Sequence, residues 1–284
     1  MARRTLAREI EIEGIALHAG KSVRMRLVPA VAKSGIVFYR SDLSSGPIPA
    51  RFDRVTETRL GTVIADDAGA SVGVIEHLMA AIAGAEIDDL TVLLDGPEPP
   101  ILDGDSLSYL RLVKNGGTRD YLKHREAIWV KRPITVESGE ASAMLYPSDE
   151  RIFVFEIAFP SAAIGEQKLS WSFSPEGFTK EIAPARTFGF VGELKVLNES
   201  GLAKGASLQN TLALDGDRLL NPALLRFPDE FVRHKILDAV GDLALAGAPI
   251  IGRFEGRRSG HALNNQLLRA LFSDPANYER VTLP

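Results

Sequence analysis

At 284 residues the chain is long enough for one large domain or two of ordinary size, and with 45% hydrophobic residues it supplies its own core. It contains no cysteine, which excludes disulfides, thiolate metal sites, iron–sulfur clusters and cysteine nucleophiles, so any metal must be held by His, Asp or Glu. A net charge of −4 argues against general nucleic-acid binding, and no apolar run reaches membrane-spanning length, so a soluble, cytoplasmic protein without a transmembrane segment is expected.

Residues 10–17 and 23–28 alternate around Gly20-Lys21-Ser22 and end at Pro29, the pattern of a hairpin. A helix is expected over 75–83, a strand over 90–94 and a second helical segment over 106–113. The same order then returns. Residues 134–137 turn through Ser138-Gly139-Glu140 into 141–146, and a helix over 229–245 precedes a strand over 250–254 and a helix over 262–272. Between them, Phe155, Ile157, Phe159, Ile164, Leu169, Trp171 and Phe173 alternate roughly through 152–173, as in a half-buried sheet. The recurrence predicts an α+β fold built from two copies of one unit, residues 1–124 and 125–284.

The chemistry is concentrated in Glu76-His77, His234 with Asp238 and Asp242, and Ser259-Gly260-His261. The stretch 231–246 is too apolar for a solvated surface helix, yet it holds a histidine and two aspartates. Positions 234, 238 and 242 are four apart and share one side of a helix. A carboxylate there is costly unless a cation or hydrogen bonds compensate it. An imidazole and a carboxylate one turn apart can grip a small ion, and the mixed nitrogen and oxygen set suits zinc better than calcium or magnesium. If the two halves are copies, the helices bearing His77 and His234 are equivalent, and an ion held by both lies between the units.

Six segments carry a resemblance. Gly14-Ile15-Ala16-Leu17-His18-Ala19-Gly20, Glu76-His77-Leu78-Met79-Ala80-Ala81, Ile101-Leu102-Asp103-Gly104, Ala185-Arg186-Thr187-Phe188-Gly189-Phe190, the run 226–242, and Ser259-Gly260-His261-Ala262-Leu263-Asn264-Asn265 fall in one order along nearly the whole chain. They resemble the UDP-3-O-acyl-N-acetylglucosamine deacetylase family. The resemblance implies a zinc-dependent amidase that removes acetate from the 2-amino group of a UDP-linked, 3-O-acylated glucosamine, the committed step of lipid A synthesis in Gram-negative bacteria. It also implies a sandwich of two ββααββ-type domains with the active site between them, and a monomer is expected.

Carried over residue by residue, the resemblance makes His77, His234 and Asp238 the zinc ligands, with the fourth position left for water. It makes Glu76 the general base, Thr187 a donor to the oxyanion, and His261 the acid that protonates the leaving amine. Asp242 is implied to orient His261 and favour its charged form. Lys235 and Phe188 are implied substrate contacts, and an insertion at 152–173 is implied to form the acyl-chain passage.

Other conspicuous residues have plainer readings. His18 beside Gly20 reads as a structural turn residue, His124 as a solvated one, and Asp103-Gly104 as a turn. Phe190 reads as a core aromatic, and Arg253, Arg257 and Arg258 as solvated arginines that are able to meet a phosphate. Gly61, Gln209 and Phe159-Pro160-Ser161 depart from the family's usual residues and bear on substrate preference. They keep a second reading open, a paralogous zinc amidase acting on another N-acyl substrate. A non-enzymatic metal- or lipid-binding module is a third.

Overall fold

The computed structural model of the chain describes residues 1–43 and 45–284. In Ser22–Pro29, Val23, Met25 and Leu27 are buried while Arg24 and Arg26 face solvent, so one face of this strand is committed to a core. It belongs to a five-stranded sheet with the spatial order Ile10–Ile15, Ser22–Pro29, Leu90–Leu94, Ile36–Arg40, Ile48–Pro49. Only the pair Ile36–Arg40 with Leu90–Leu94 is parallel. Helices α1 (Glu76–Gly84) and α2 (Leu107–Gly116) follow the expected positions.

The second half is organised around Ile250–Arg257, which pairs antiparallel with Ala141–Tyr146 and parallel with Arg151–Ala158 in a seven-stranded mixed sheet. Its helices are a single turn α3 (Pro175–Gly177), α4 (Val191–Glu199), α5 (Glu230–Leu243) and α6 (His261–Ser273). The helix expected over 229–245 stops at Leu243 and tightens into the turn Ala244–Ala246, which Gly247 closes with a φ of 79°. The α+β class is as expected, and the order hairpin, helix, strand, helix occurs in both halves.

Helices α1 and α5 are buried on nearly every side, so each needs apolar partners all round. They find one in each other. The contact is close at Gly241, where a Cβ would meet the Glu76 carbonyl oxygen at 2.0 Å; only a residue without a side chain lets the backbones approach this far. One apolar cluster joins the halves, taking in Met25 and Leu78 from the first and Ile236 and Phe254 from the second.

The antiparallel pair Ala2–Leu6 with Thr118–His124 and two three-stranded sheets were not foreseen. One three-stranded sheet comprises Val55–Glu57, Val63–Ala65 and Ser71–Val72, the other Phe188–Phe190, Leu212–Asp215 and Arg218–Leu219. Strands of two to four residues are too short to display a period. The segment 152–173 forms the hairpin Arg151–Ala158 and Glu166–Ser172, with Phe153, Phe155, Ile157 and Trp171 buried. No helix among the described residues is long and apolar enough to cross a membrane.

Candidate metal centre and active site

Because α1 and α5 cross so closely, residues at the start of one and the middle of the other meet. The His77 and His234 rings lie 5.0 Å apart, nearly perpendicular, each about 3% exposed. Their Nε2 atoms approach Asp238 Oδ1 at 3.7 and 3.3 Å. One ligand atom from each of the three lies within 4.8 Å of the others, a group able to hold a metal ion.

The donor set passes a test of fit. Asp238 Oδ1 and His77 Nδ1 are buried without a hydrogen-bond partner, and an orphaned carboxylate oxygen between two imidazoles is costly unless a cation sits among them. The His234 Nδ1–H donates to the Ala185 carbonyl at 3.1 Å, which leaves the Nε2 lone pair for a ligand bond. Burial pushes the His77 imidazole down to about 3 and also lowers His234, so both are neutral, as metal ligation requires. Burial alone would raise Asp238, but the positive charge around it, which the Lys235 ammonium supplies while the imidazoles are neutral, outweighs burial and keeps the carboxylate ionised. Lys235 holds the other oxygen, its Nζ donating to Asp238 Oδ2 at 2.7 Å.

Glu76, which opens α1, is buried and accepts the Thr62 N–H on Oε2 at 2.9 Å. Desolvation is the main reason its carboxyl is pushed up to about 7. Its Oε1 lies 4.0 Å from His261 Nε2. The other nitrogen of His261, Nδ1, donates to Asp242 Oδ2 at 2.9 Å. Burial opposes a charge on His261, yet Asp242 and Glu76 outweigh it and push the imidazole up to about 9. A carboxyl poised near neutrality thus faces an imidazolium.

Thr187 and Phe188 line the same cleft, whose volume is about 790 Å³. Their segment is anchored to α5: Arg186 donates to the fully buried Glu230 from its backbone N–H at 3.0 Å and its Nε at 2.9 Å. Phe188 packs edge-on against Phe231 at 5.1 Å and lies 6.2 Å from the His234 ring. The cleft's apolar wall comes from Leu17, Phe159, Phe188, Leu194, Leu197 and Ala203, so Phe159 represents the segment 152–173 there. Left-handed backbone at the non-glycine residues Val74, Leu102 and Arg258 lies just before Glu76-His77, Asp103-Gly104 and Ser259-Gly260-His261, the kind of strain that collects at functional loops.

The structure brings together every site residue expected from the sequence, and it adds others. His18 does more than shape a turn: its ring bonds the Leu60 carbonyl at 3.0 Å and accepts the Ala203 N–H at 3.3 Å, tying the two halves at the cleft's edge. Thr62 and Asn264 both donate to Asp242. Thr62 lies in no motif, and Asn264 and Glu230 lie inside motifs that say nothing of their partners. His124 is exposed, and Arg253, Arg257 and Arg258 each face a glutamate. Gln209 is exposed, Ser161 donates to the Gly216 carbonyl at 2.7 Å, and a Cβ at Gly61 would meet Glu76 Oε1 at 2.8 Å.

The chain is similar to known proteins along nearly its whole length. The family model for UDP-3-O-acyl N-acetylglycosamine deacetylase matches residues 3–273. A UDP-3-O-acyl-N-acetylglucosamine deacetylase of Phenylobacterium zucineum is 45% identical over 264 residues, 92% of this chain and 90% of that one. Proteins of the same name from Aliarcobacter butzleri and Myxococcus xanthus are each 43% identical, covering 100% and 98% of this chain and 94% and 89% of their own. A match of this extent leaves no part of the cleft outside it, and the chain belongs to the UDP-3-O-acyl N-acetylglycosamine deacetylase family.

Proposed function

We propose that this protein hydrolyses the N-acetyl group of UDP-3-O-acyl-N-acetylglucosamine, giving acetate and the free amine, as a cytoplasmic, monomeric step of lipid A biosynthesis that involves no nucleic acid. The observation that carries the reading is the meeting of two neutral imidazoles and a carboxylate beside an acid–base pair in one cleft. The halves 1–124 and 125–284 are then two duplicated domains, each supplying part of the site.

His77, His234 and Asp238 hold zinc, the ion best suited to two nitrogens and one oxygen in a chain without cysteine. When bound, the ion supplies a Lewis-acid charge that brings water within reach of a carboxylate base near neutral pH. Glu76 takes the proton of the attacking water, and its desolvated carboxyl is basic enough to do so. As the C–O bond forms, the hydroxyl of Thr187 donates to the developing oxyanion.

Asp242 holds the Nδ1–H of His261, so the proton to be given away sits on Nε2, the atom turned toward Glu76. That proton passes to the leaving nitrogen as the amide C–N bond breaks. Lys235 and Phe188 contact the sugar nucleotide and its acyl chain, and the apolar wall around Phe159, Leu194 and Leu197 receives the chain.

The test is a panel of N-acetyl sugars and UDP-sugars, with and without the 3-O-acyl chain, assayed for acetate and free amine. Turnover confined to the UDP-linked, 3-O-acylated member supports the reading. Turnover of another N-acyl compound in its place assigns the protein to a different amidase reaction, and binding without turnover contradicts an enzyme altogether.

A further inference from the structure

Thr62 is 2% exposed and lies between the strands Val55–Glu57 and Val63–Ala65. It donates twice into the site. Its backbone N–H reaches Glu76 Oε2 at 2.9 Å, and its hydroxyl reaches Asp242 Oδ1 at 2.6 Å, 180 positions away in the chain. Among the described residues no other hydrogen bond reaches the Glu76 side chain. Its Oε1 is left for the cleft, and Gly61 keeps that oxygen clear.

The segment around Thr62 is itself clamped. The Leu60 carbonyl bonds His18 Nε2 at 3.0 Å, and the Thr62 carbonyl accepts the Ile75 N–H just ahead of α1 at 3.4 Å. Glu76 belongs to one half of the chain, Asp242 and His261 to the other. One small residue therefore spans the gap between the carboxylate beside the metal site and the carboxylate behind the imidazole.

We infer that Thr62 is a positioning residue, holding Glu76 and Asp242 in one fixed relation so that base and acid bear on the same amide. The inference rests on the function proposed above. Proton transfer at both ends of one amide tolerates little error in geometry, and a short, charge-assisted hydrogen bond limits it. The crossing of α1 and α5 at Gly241 sets the two backbones but leaves the carboxylates of Glu76 and Asp242 free to turn, and a residue bonded to both carboxylates fixes them. Were the hydroxyl only satisfying a buried carboxylate, its loss would register in stability and spare the chemical step.

The experiment compares parent, Thr62→Val and Thr62→Ser for kcat, KM, zinc per chain and Tm. Valine keeps the shape and the backbone N–H and removes the hydroxyl, and Asp242 retains His261 and Asn264 on Oδ2. The expected result is a kcat lower by on the order of 10- to 100-fold in Thr62→Val. KM and zinc stay at parental levels, and Thr62→Ser recovers most of the rate. A Thr62→Val kcat within about twofold of the parent overturns the inference, as does a loss that follows missing zinc or that serine does not recover. Should Thr62→Val not fold, Thr62→Ala carries the same expectation without placing a methyl group against Asp242. A zinc-loaded parent that releases no acetate overturns the proposed function, and the inference with it; an active parent with an unaffected Thr62→Val overturns the inference alone.

Discussion

Gly241 of α5 faces the backbone carbonyl of Glu76 across the helix crossing, and a Cβ at Gly241 would lie 2.0 Å from that oxygen. The obstacle is backbone, so it cannot swing aside. Gly241→Ala should push the helices apart and cost about 1–3 kcal/mol of stability. Since His77 rides on one helix and His234 with Asp238 on the other, zinc affinity should fall along with Tm. Thermal melts and a zinc titration check both; a variant as stable and as tight-binding as the parent contradicts the packing described.

In the proposed mechanism Glu76 is adjacent to a metal ligand but serves a different purpose, that of the base. Glu76→Gln keeps an acceptor for the Thr62 N–H and removes the base. Turnover should fall on the order of 10²- to 10⁴-fold with zinc per chain unchanged. Steady-state kinetics and metal analysis on one preparation decide the matter, and lost zinc with retained turnover reverses the assignment.

Activity should follow a bell-shaped pH profile. The proposed mechanism needs Glu76 ionised and His261 protonated, and these groups are pushed up to about 7 and about 9. The rate therefore rises through the first value and falls through the second, and bound zinc pulls the Glu76 limb lower. A His261→Gln variant should lose most turnover and, with it, the alkaline limb. An alkaline limb unchanged in that variant assigns the acid to another group.

The same groups set how the metal-free protein responds to pH. His77, pushed down to about 3 from the usual 6.5, binds fewer protons folded than unfolded, so it favours folding progressively as pH rises to 6.5. Glu76 and His261 are raised in the folded state, so their contribution is lost as pH climbs through about 7 and about 9. Between pH 6.5 and 9 all three terms point one way or are spent. The Tm of chelator-treated protein should fall across that window, and less steeply in His261→Gln; an equal slope in both proteins contradicts the linkage.

Metal removal should destabilise the fold. Zinc at about 100 times its Kd adds roughly 2.7 kcal/mol if it binds only the folded state. The Tm increment on adding zinc should be present in the parent and absent in His77→Ala, which leaves only His234 and Asp238 of the candidate group. An increment of equal size in both places the ion elsewhere.

How much of this could be read from the sequence depends on the range of the interaction. The helix bearing His234 is legible because an apolar run with a polar residue every fourth position has few explanations, and the motifs name His77, Thr187 and His261. Thr62 is not legible. Its partners are 14 and 180 positions away, and a threonine between short strands leaves no local signal. Glu230 and Asn264 sit inside recognisable motifs, yet only the fold reveals that one anchors Arg186 and the other braces Asp242. The small sheets that carry Thr62 and introduce Thr187 are too short to show alternation.

The most direct test of the central claim is to strip the purified protein of metal, titrate zinc back, and follow acetate release from UDP-3-O-acyl-N-acetylglucosamine. No release is expected without metal, and full recovery is expected near one zinc per chain. Unchanged release from the stripped protein, or none from the fully loaded one, contradicts the claim.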